Sequence, residues 1–437
     1  MKLVDYLHKN AELYPEKTAA ICGGEKIIWS ELSEKVIERS ASFKKGQVVP
    51  FKSSQTIDFL ITYFAIHQAG AVAAPLEKDI PDNRFREISG ILSSSKVPEG
   101  TADILYTTGT TGKSKGVMIS HRTIIADAEN LIEGMGFSHD LLFVISGPLN
   151  HIGSLSKIFP VTVQGASLYI LEGMKDLDKF FEALDYPAKK AATFLVPATI
   201  RMLLMFSGER LAKYTDKIDF IESGAAPLAH SDMLKLCEVL PKTRLYNTYA
   251  STETGVVSTY NFNDGECIPG CLGKPLSNSR VIITEEGKIS CNGETLMSGY
   301  VNDPELTSTI LKDSTIYTSD IGELDELGRL HLKGRESDVI NVGGFKVSPS
   351  EVEDASMAFP GVKDCICLGI PHPITGMALK LLVMMEPGET LNKQALAKYL
   401  KGKLEIYKVP LLYSQAEEIK RTYNGKLDRK FYKSQKI

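Results

Sequence analysis

The densest run of side chains able to do chemistry spans residues 103–121. Two β-type apolar runs, 104–106 and 117–119, bracket four threonines, three glycines, two lysines and one serine. Glycine lets backbone approach a ligand closely, and successive backbone N–H groups form an anion-binding nest. The threonine hydroxyls add donors, and Lys113 and Lys115 add positive charge. Together these groups suit a polyphosphate. A plain polar hairpin loop is the alternative, but it has no need of so many donors. A Walker A loop is excluded by spacing: that loop requires glycine five residues before its Gly-Lys pair, and Thr107 stands there relative to Gly112-Lys113.

Five other constellations could serve the same ligand. After the strand-like run 244–247 come Tyr249, Thr252 and Glu253, an aromatic ring for a purine, a hydroxyl for a phosphate and a carboxylate for Mg²⁺. Residues 222–227 follow another strand-like run, and their small side chains leave room for a flat ligand. Asp320 precedes Arg335 by fifteen residues, and a carboxylate can accept both hydrogen bonds of a ribose diol. Asn424-Gly425 marks a turn presenting Lys426 at a loop tip. His151 lies in a loop after the strand-like run 142–145. Taken singly, each has an ordinary reading as a packing histidine, a strand–turn–helix connection, a surface ion or a solvated lysine.

Taken in order, they resemble the acyl-adenylate-forming enzymes, which include acyl-CoA synthetases, firefly luciferase and the adenylation domains of peptide synthetases. The loop is similar to that family's Tyr-Thr-Ser-Gly-Thr-Thr-Gly-x-Pro-Lys-Gly signature, with Thr108 for serine and Ser114 for proline. The resemblance implies that Thr107, Thr108, Gly109, Thr110, Thr111, Gly112 and Lys113 bind ATP phosphates. It implies that Gly224, Ala225, Ala226, Asn247 and Tyr249 meet adenine, Thr252 the phosphate, and Asp320 and Arg335 the ribose. Glu253 would ligate Mg²⁺, and Lys426, with Thr252, Glu253 and His151, would be catalytic. Asn150, His151, Ser154, Ser223, Gly224 and Val256 would line the acyl pocket. Ser337 would be a hinge, and Gly343 and Gly344 would line the thiol tunnel. Ala250 and Ser319 stand where the family usually has glycine.

The elements that must position these residues follow an α/β pattern. From residue 55, strand-like runs (71–74, 142–145, 166–171, 192–196, 217–221, 244–247) alternate with helix-like segments (57–68, 123–135, 176–184, 198–206, 231–240). Such alternation predicts mostly parallel sheets covered by helices. Short β-type runs from about 260 to 334 predict a small β subdomain. A compact α+β module follows, with a helix from Ser350 and Glu353 as its capping partner, strands 362–370 and 379–385, and a helix 392–404. The resulting division is a large adenylation domain, 1–335, and a small mobile C-terminal domain, 336–437, carrying Lys426. The stretch 80–101 runs almost directly into the phosphate loop, so one helical subdomain usual in the family is shortened.

Composition narrows the partners. The chain has 437 residues, 43% of them hydrophobic, and a net charge of −4, which gives no reason to expect nucleic acid. Residues 57–75 are too interrupted by polar groups to span a membrane. Seven scattered cysteines read as buried free thiols, and hence as a cytoplasmic protein. The tail from Lys401 carries ten Lys or Arg against four Asp or Glu, which suits either a phosphate-bearing partner or a solvated surface. The expected activity is ATP- and Mg²⁺-dependent conversion of a carboxylic acid to acyl-AMP, then transfer to CoA. Transfer to a carrier-protein phosphopantetheine is the alternative, and a non-catalytic nucleotide-binding relative a third.

Overall fold

The structure, a computed structural model, describes residues 1–108, 114–336, 338–422 and 426–434. An eight-stranded sheet organises the first half of the chain. Six strands run parallel, in the order Thr18–Cys22, Ser167–Ile170, Leu141–Ile145, Lys190–Leu195, Ile218–Ser223 and Arg244–Ser251. Antiparallel edge strands, Glu25–Ile28 and Gly255–Asn261, close its two sides. The central strand Leu141–Ile145 is apolar and buried at every residue, as a parallel strand covered on both faces is.

A second sheet orders Gly299–Tyr300, Ser114–Ser120, Thr101–Thr108, Val72–Leu76 and Val48–Lys52. Thr101–Thr108 and Ser114–Ser120 pair antiparallel. The helix Ile57–Gln68 is buried on nearly all sides. It shares one apolar core with the helices Leu3–Leu13, Trp29–Ser40 and His121–Met135 and with strands of both sheets. The N-terminal helices and the hairpin of Thr18–Cys22 with Glu25–Ile28 carry no motif, and the sequence reading passed over them. Between Leu76 and Thr101 stands a single helix, Asp82–Ser93.

A six-stranded antiparallel sheet takes in Cys271–Gly273, Ser279–Ile283, Lys288–Gly293, Leu311–Lys312, Thr315–Leu324 and Leu330–Arg335. Beyond it, Val362–His372, Gly376–Met385 and Leu412–Gln415 form a three-stranded sheet with its own apolar core, which includes Val352, Leu381 and Leu396. The fold is mixed α/β with several sheets.

Three sequence expectations change. The helix expected from Ser350 begins at Pro349, which occupies its first turn. Glu353 therefore does not cap it. Its buried carboxylate turns inward, accepting hydrogen bonds from Arg429 at 2.7 Å and from the Cys367 N–H at 2.7 Å. The helix expected over 198–206 continues to Ala212 across a non-helical Ser207. All seven cysteines are free, as expected, but Cys22, Cys237 and Cys267 are partly exposed.

Candidate active site

Parallel strands place ligands beyond their carboxyl ends, and several of the residues selected from sequence lie there. Ser223 closes the strand Ile218–Ser223 and is register partner to Asn247 in Arg244–Ser251. His151 is the N-cap of the short helix Ile152–Leu155, which carries Ser154, reached by the loop after Leu141–Ile145. Asn150 is buried and accepts a hydrogen bond from Ser53 Oγ at 3.1 Å. In the turn after Ser223, Ala225 holds φ at +68°, a left-handed conformation that a residue with Cβ adopts only under strain. Ala226 follows it, and Val256 lies in the antiparallel edge strand.

Asp320 and Arg335 are fifteen residues apart in sequence and opposite each other across an antiparallel ladder. Arg335 Nε donates to Asp320 Oδ1 at 2.8 Å, and the buried Tyr249 donates its hydroxyl to Asp320 Oδ2 at 2.9 Å. Burial and the Asp320 carboxylate hold the Tyr249 hydroxyl well above its usual pKa, so it stays a neutral donor. Three elements distant in sequence thus meet on one carboxylate.

Glu253 lies in the turn after Arg244–Ser251. Its Oε1 accepts from the Tyr300 hydroxyl at 2.9 Å, and the Lys115 ammonium sits 5.4 Å from the centre of the Tyr300 ring. Tyr300 is a site residue that sequence reasoning missed, because a lone Gly-Tyr pair carries no spacing signal. Among the described residues no cluster of three His, Cys, Asp or Glu could hold a metal. Among the described residues only Oε1 of Glu253 is hydrogen-bonded, and Mg²⁺ commonly takes one or two carboxylates with the rest of its shell from substrate phosphates and water.

Lys426 comes from the last dozen residues and faces this same site. Burial lowers its pKa, Arg335 lowers it further, and Asp320 and Glu253 act in the opposite direction. Burial also lowers the pKa of His151, with Glu77 raising it and Lys426 lowering it. Electrostatically, then, Lys426 is in reach of His151, Glu253, Asp320 and Arg335. Its backbone is pinned by a two-bond exchange with Thr422, one bond at 2.8 Å.

Some expected site residues are not joined to this cluster. Gly109, Thr110, Thr111, Gly112, Lys113 and Ser337 lie outside the described residues. Thr107 and Thr108 end the strand that leads into the loop. Thr252 is partly exposed beside Glu253. Gly343 and Gly344 form the turn between Ile340–Val342 and Phe345–Val347, where positive φ values of +59° and +94° favour glycine. Their N–H groups bond Thr375 and Asn341 rather than any residue of the cluster. The basic tail is partly consumed internally: Arg421 pairs with Asp364 and Arg429 with Glu353.

The family model described as AMP-binding enzyme matches residues 91–301, and that described as AMP-binding enzyme C-terminal domain matches residues 351–426. The chain is 29% identical over 367 residues to a long-chain-fatty-acid–CoA ligase of Bacillus subtilis (strain 168), a match covering 79% of this chain and 64% of that enzyme. It is 25% identical to a 2-succinylbenzoate–CoA ligase of Geobacillus sp. (strain WCH70), across 97% of this chain and 96% of that one. The fold is similar to that of ATP-bound MatB from Rhodopseudomonas palustris, with a TM-score of 0.85, 24% identity and complete coverage of both chains. No helix among the described residues is long and apolar enough to cross a membrane.

Proposed function

The chain belongs to the AMP-binding enzyme family, and we propose that it activates a carboxylic acid with ATP, releasing pyrophosphate, and passes the acyl group to the thiol of CoA. One observation carries this reading: Lys426, partly buried, lies within electrostatic range of Glu253, Asp320, Arg335 and His151. A lone loop lysine is ordinarily solvated away from other charges; one that must neutralise charge on a reacting phosphate is held among the groups that bind it.

The acid's carboxylate attacks the α-phosphorus, and negative charge builds on the phosphoryl oxygens. Catalysis of such a step is mostly positioning and preorganised positive charge. Asp320 and Arg335 hold the ribose, and Tyr249 stacks on adenine while its hydroxyl steadies Asp320. The stretch 107–113 holds the β- and γ-phosphates, with Thr252 at the phosphate. Bound at Glu253, Mg²⁺ would supply countercharge to the phosphates. Lys426 lies between the carboxylate and the α-phosphate, and His151 and Asn150 orient the acid. In the second half-reaction the thiol attacks the mixed anhydride and AMP leaves. The division into a large domain, 1–335, and a small domain, 336–437, turning about Ser337 to admit CoA past Gly343 and Gly344, is part of this proposal.

The test is acid-dependent exchange of labelled pyrophosphate into ATP, over a panel of fatty, aryl and amino acids, followed by CoA or a phosphopantetheine carrier as acceptor. Exchange with at least one acid is expected. ATP binding with no exchange for any acid would instead support a nucleotide-binding protein without catalysis.

A further inference from the structure

Beside the candidate acid pocket lies a charged pair with no part in the chemistry above. Lys157 and Glu222 are 2% and 1% exposed. The Lys157 ammonium is 2.8 Å from Glu222 Oε1, to which it donates, and 2.7 Å from Oε2, which accepts no aligned hydrogen bond. Its other neighbour is the ring of Phe194, whose centre is 5.1 Å away. Phe194 is register partner to Glu222 on the adjoining strand. It also abuts both pocket elements: a Cβ on Gly153 would lie 3.1 Å from its ring, and one on Gly224 3.3 Å. One ring therefore separates the pair from Gly153 and Gly224, and Glu222 directly precedes Ser223.

A buried ion pair stabilises a fold poorly unless further hydrogen bonds satisfy its remaining protons and lone pairs. Here they are missing. Among the described residues, Glu222 Oε2, Ser223 Oγ and Thr248 Oγ1 are buried polar atoms without hydrogen-bond partners. A second buried carboxylate, Asp127, feels both members of the pair, and burial raises its pKa to about 6. The unmet capacity is mixed, with acceptor sites on Glu222, spare N–H donors on Lys157, and hydroxyls that serve as either. A ligand hydroxyl, at once donor and acceptor, matches that set. A bare hydrocarbon leaves it unpaired, and an ion adds charge to a pair already balanced.

We propose that Lys157 and Glu222 form a recognition pair at the base of the acid pocket, selecting carboxylic acids that carry a hydroxyl group at the end remote from the carboxylate. The inference rests on the adenylation reading and names its substrate class. A site built to pair a substrate hydroxyl discriminates strongly against the analogue lacking it.

The experiment is pyrophosphate exchange with matched acids: 3-(4-hydroxyphenyl)propanoic against 3-phenylpropanoic acid, and 6-hydroxyhexanoic against hexanoic acid. In the unmodified protein, kcat/KM for the better hydroxy acid should exceed that of its partner by at least about tenfold. In the double variant Lys157→Met/Glu222→Leu, which removes both charges together, the ratio should fall to about one. Ser223→Ala, a milder change that serves if the double variant does not fold, should lower the ratio several-fold. Equal or better use of the unsubstituted acids by the unmodified protein overturns the inference and leaves adenylation standing. So does a ratio unchanged in the variants, which places the hydroxyl elsewhere. Absence of exchange with all four acids, together with exchange on other acids, also overturns it; absence of exchange with any acid at all removes the adenylation reading first.

Discussion

Arg201, on the helix Pro197–Ala212, reaches across 3.3 Å to Asp364 on the strand Val362–His372, and so ties the C-terminal sheet to the body that holds most of the candidate site. Arg201 is itself held by Asp232 at 2.8 Å. On its other side Asp364 accepts from Arg421 at 2.9 Å. Arg421 forms a β-bridge with Leu427, next to Lys426. A chain of charge-assisted bonds thus runs from the large core to the base of the lysine loop. Asp364→Asn should loosen that loop and lower acid-dependent pyrophosphate exchange by roughly 10- to 100-fold, since small misplacements of a reacting group are costly. Nucleotide affinity, measured by calorimetry, should change little; a variant with unimpaired exchange would show the chain of ion pairs to be irrelevant to Lys426.

Lys426→Ala should reduce exchange by about 10²–10³-fold while ATP still binds, because one preorganised cation is lost. The pH profile gives a second readout. Burial and Arg335 hold the Lys426 pKa below its ordinary 10.5, against Asp320 and Glu253, with His151 also in range. If the ammonium is the active form, exchange falls as pH rises through this lowered pKa. The basic limb should therefore lie below 10.5, and Lys426→Arg should move it upward, since arginine does not deprotonate in this range.

Tyr300→Phe removes the hydrogen bond that orients Glu253. Partners that orient a metal ligand typically change affinity by roughly 10- to 100-fold. The expected outcome is a rise of about tenfold in the Mg²⁺ concentration needed for half-maximal exchange. An unchanged Mg²⁺ dependence would detach Glu253, or its orientation, from the cation.

Asp127 makes a stability prediction. Its pKa rises from 3.8 to about 6 because it is buried, with Glu222 adding and Lys157 opposing. The folded state therefore holds this proton more tightly than the unfolded state does. Its contribution is fully present below pH 3.8 and is lost as pH rises through about 6. Asp127→Asn keeps an oxygen for the Val256 N–H, which Asp127 Oδ1 now accepts at 2.7 Å, and removes the charge. It should stabilise the protein above pH 6 by on the order of 2–3 kcal/mol and flatten the pH dependence below it, as read by denaturant unfolding across pH.

Local chemistry made much of the site legible. Tyr249, Glu253, Asp320, Arg335 and Lys426 stand in short motifs whose residue types suit a nucleotide, and the alternation of strands and helices indicated a helix-covered sheet. Elements without chemical punctuation were not legible. The N-terminal helices, Tyr300 and the inward turn of Glu353 are set by packing, and a glutamate three places after a serine reads as a cap whichever way it turns.

The identity and order of the reactive groups, then, were written in the sequence, because glycine, threonine, lysine and carboxylate spacings are local properties. Which groups meet was decided by the tertiary structure. The ladder that sets Asp320 opposite Arg335, the approach of Lys426 to the charges of Glu253 and Asp320, and the enclosure of Lys157 with Glu222 join residues between 15 and more than 100 positions apart. Burial lowers the Lys426 pKa and leaves Ser223 Oγ and Thr248 Oγ1 without hydrogen-bond partners among the described residues, and those properties exist only once the chain has excluded water around them.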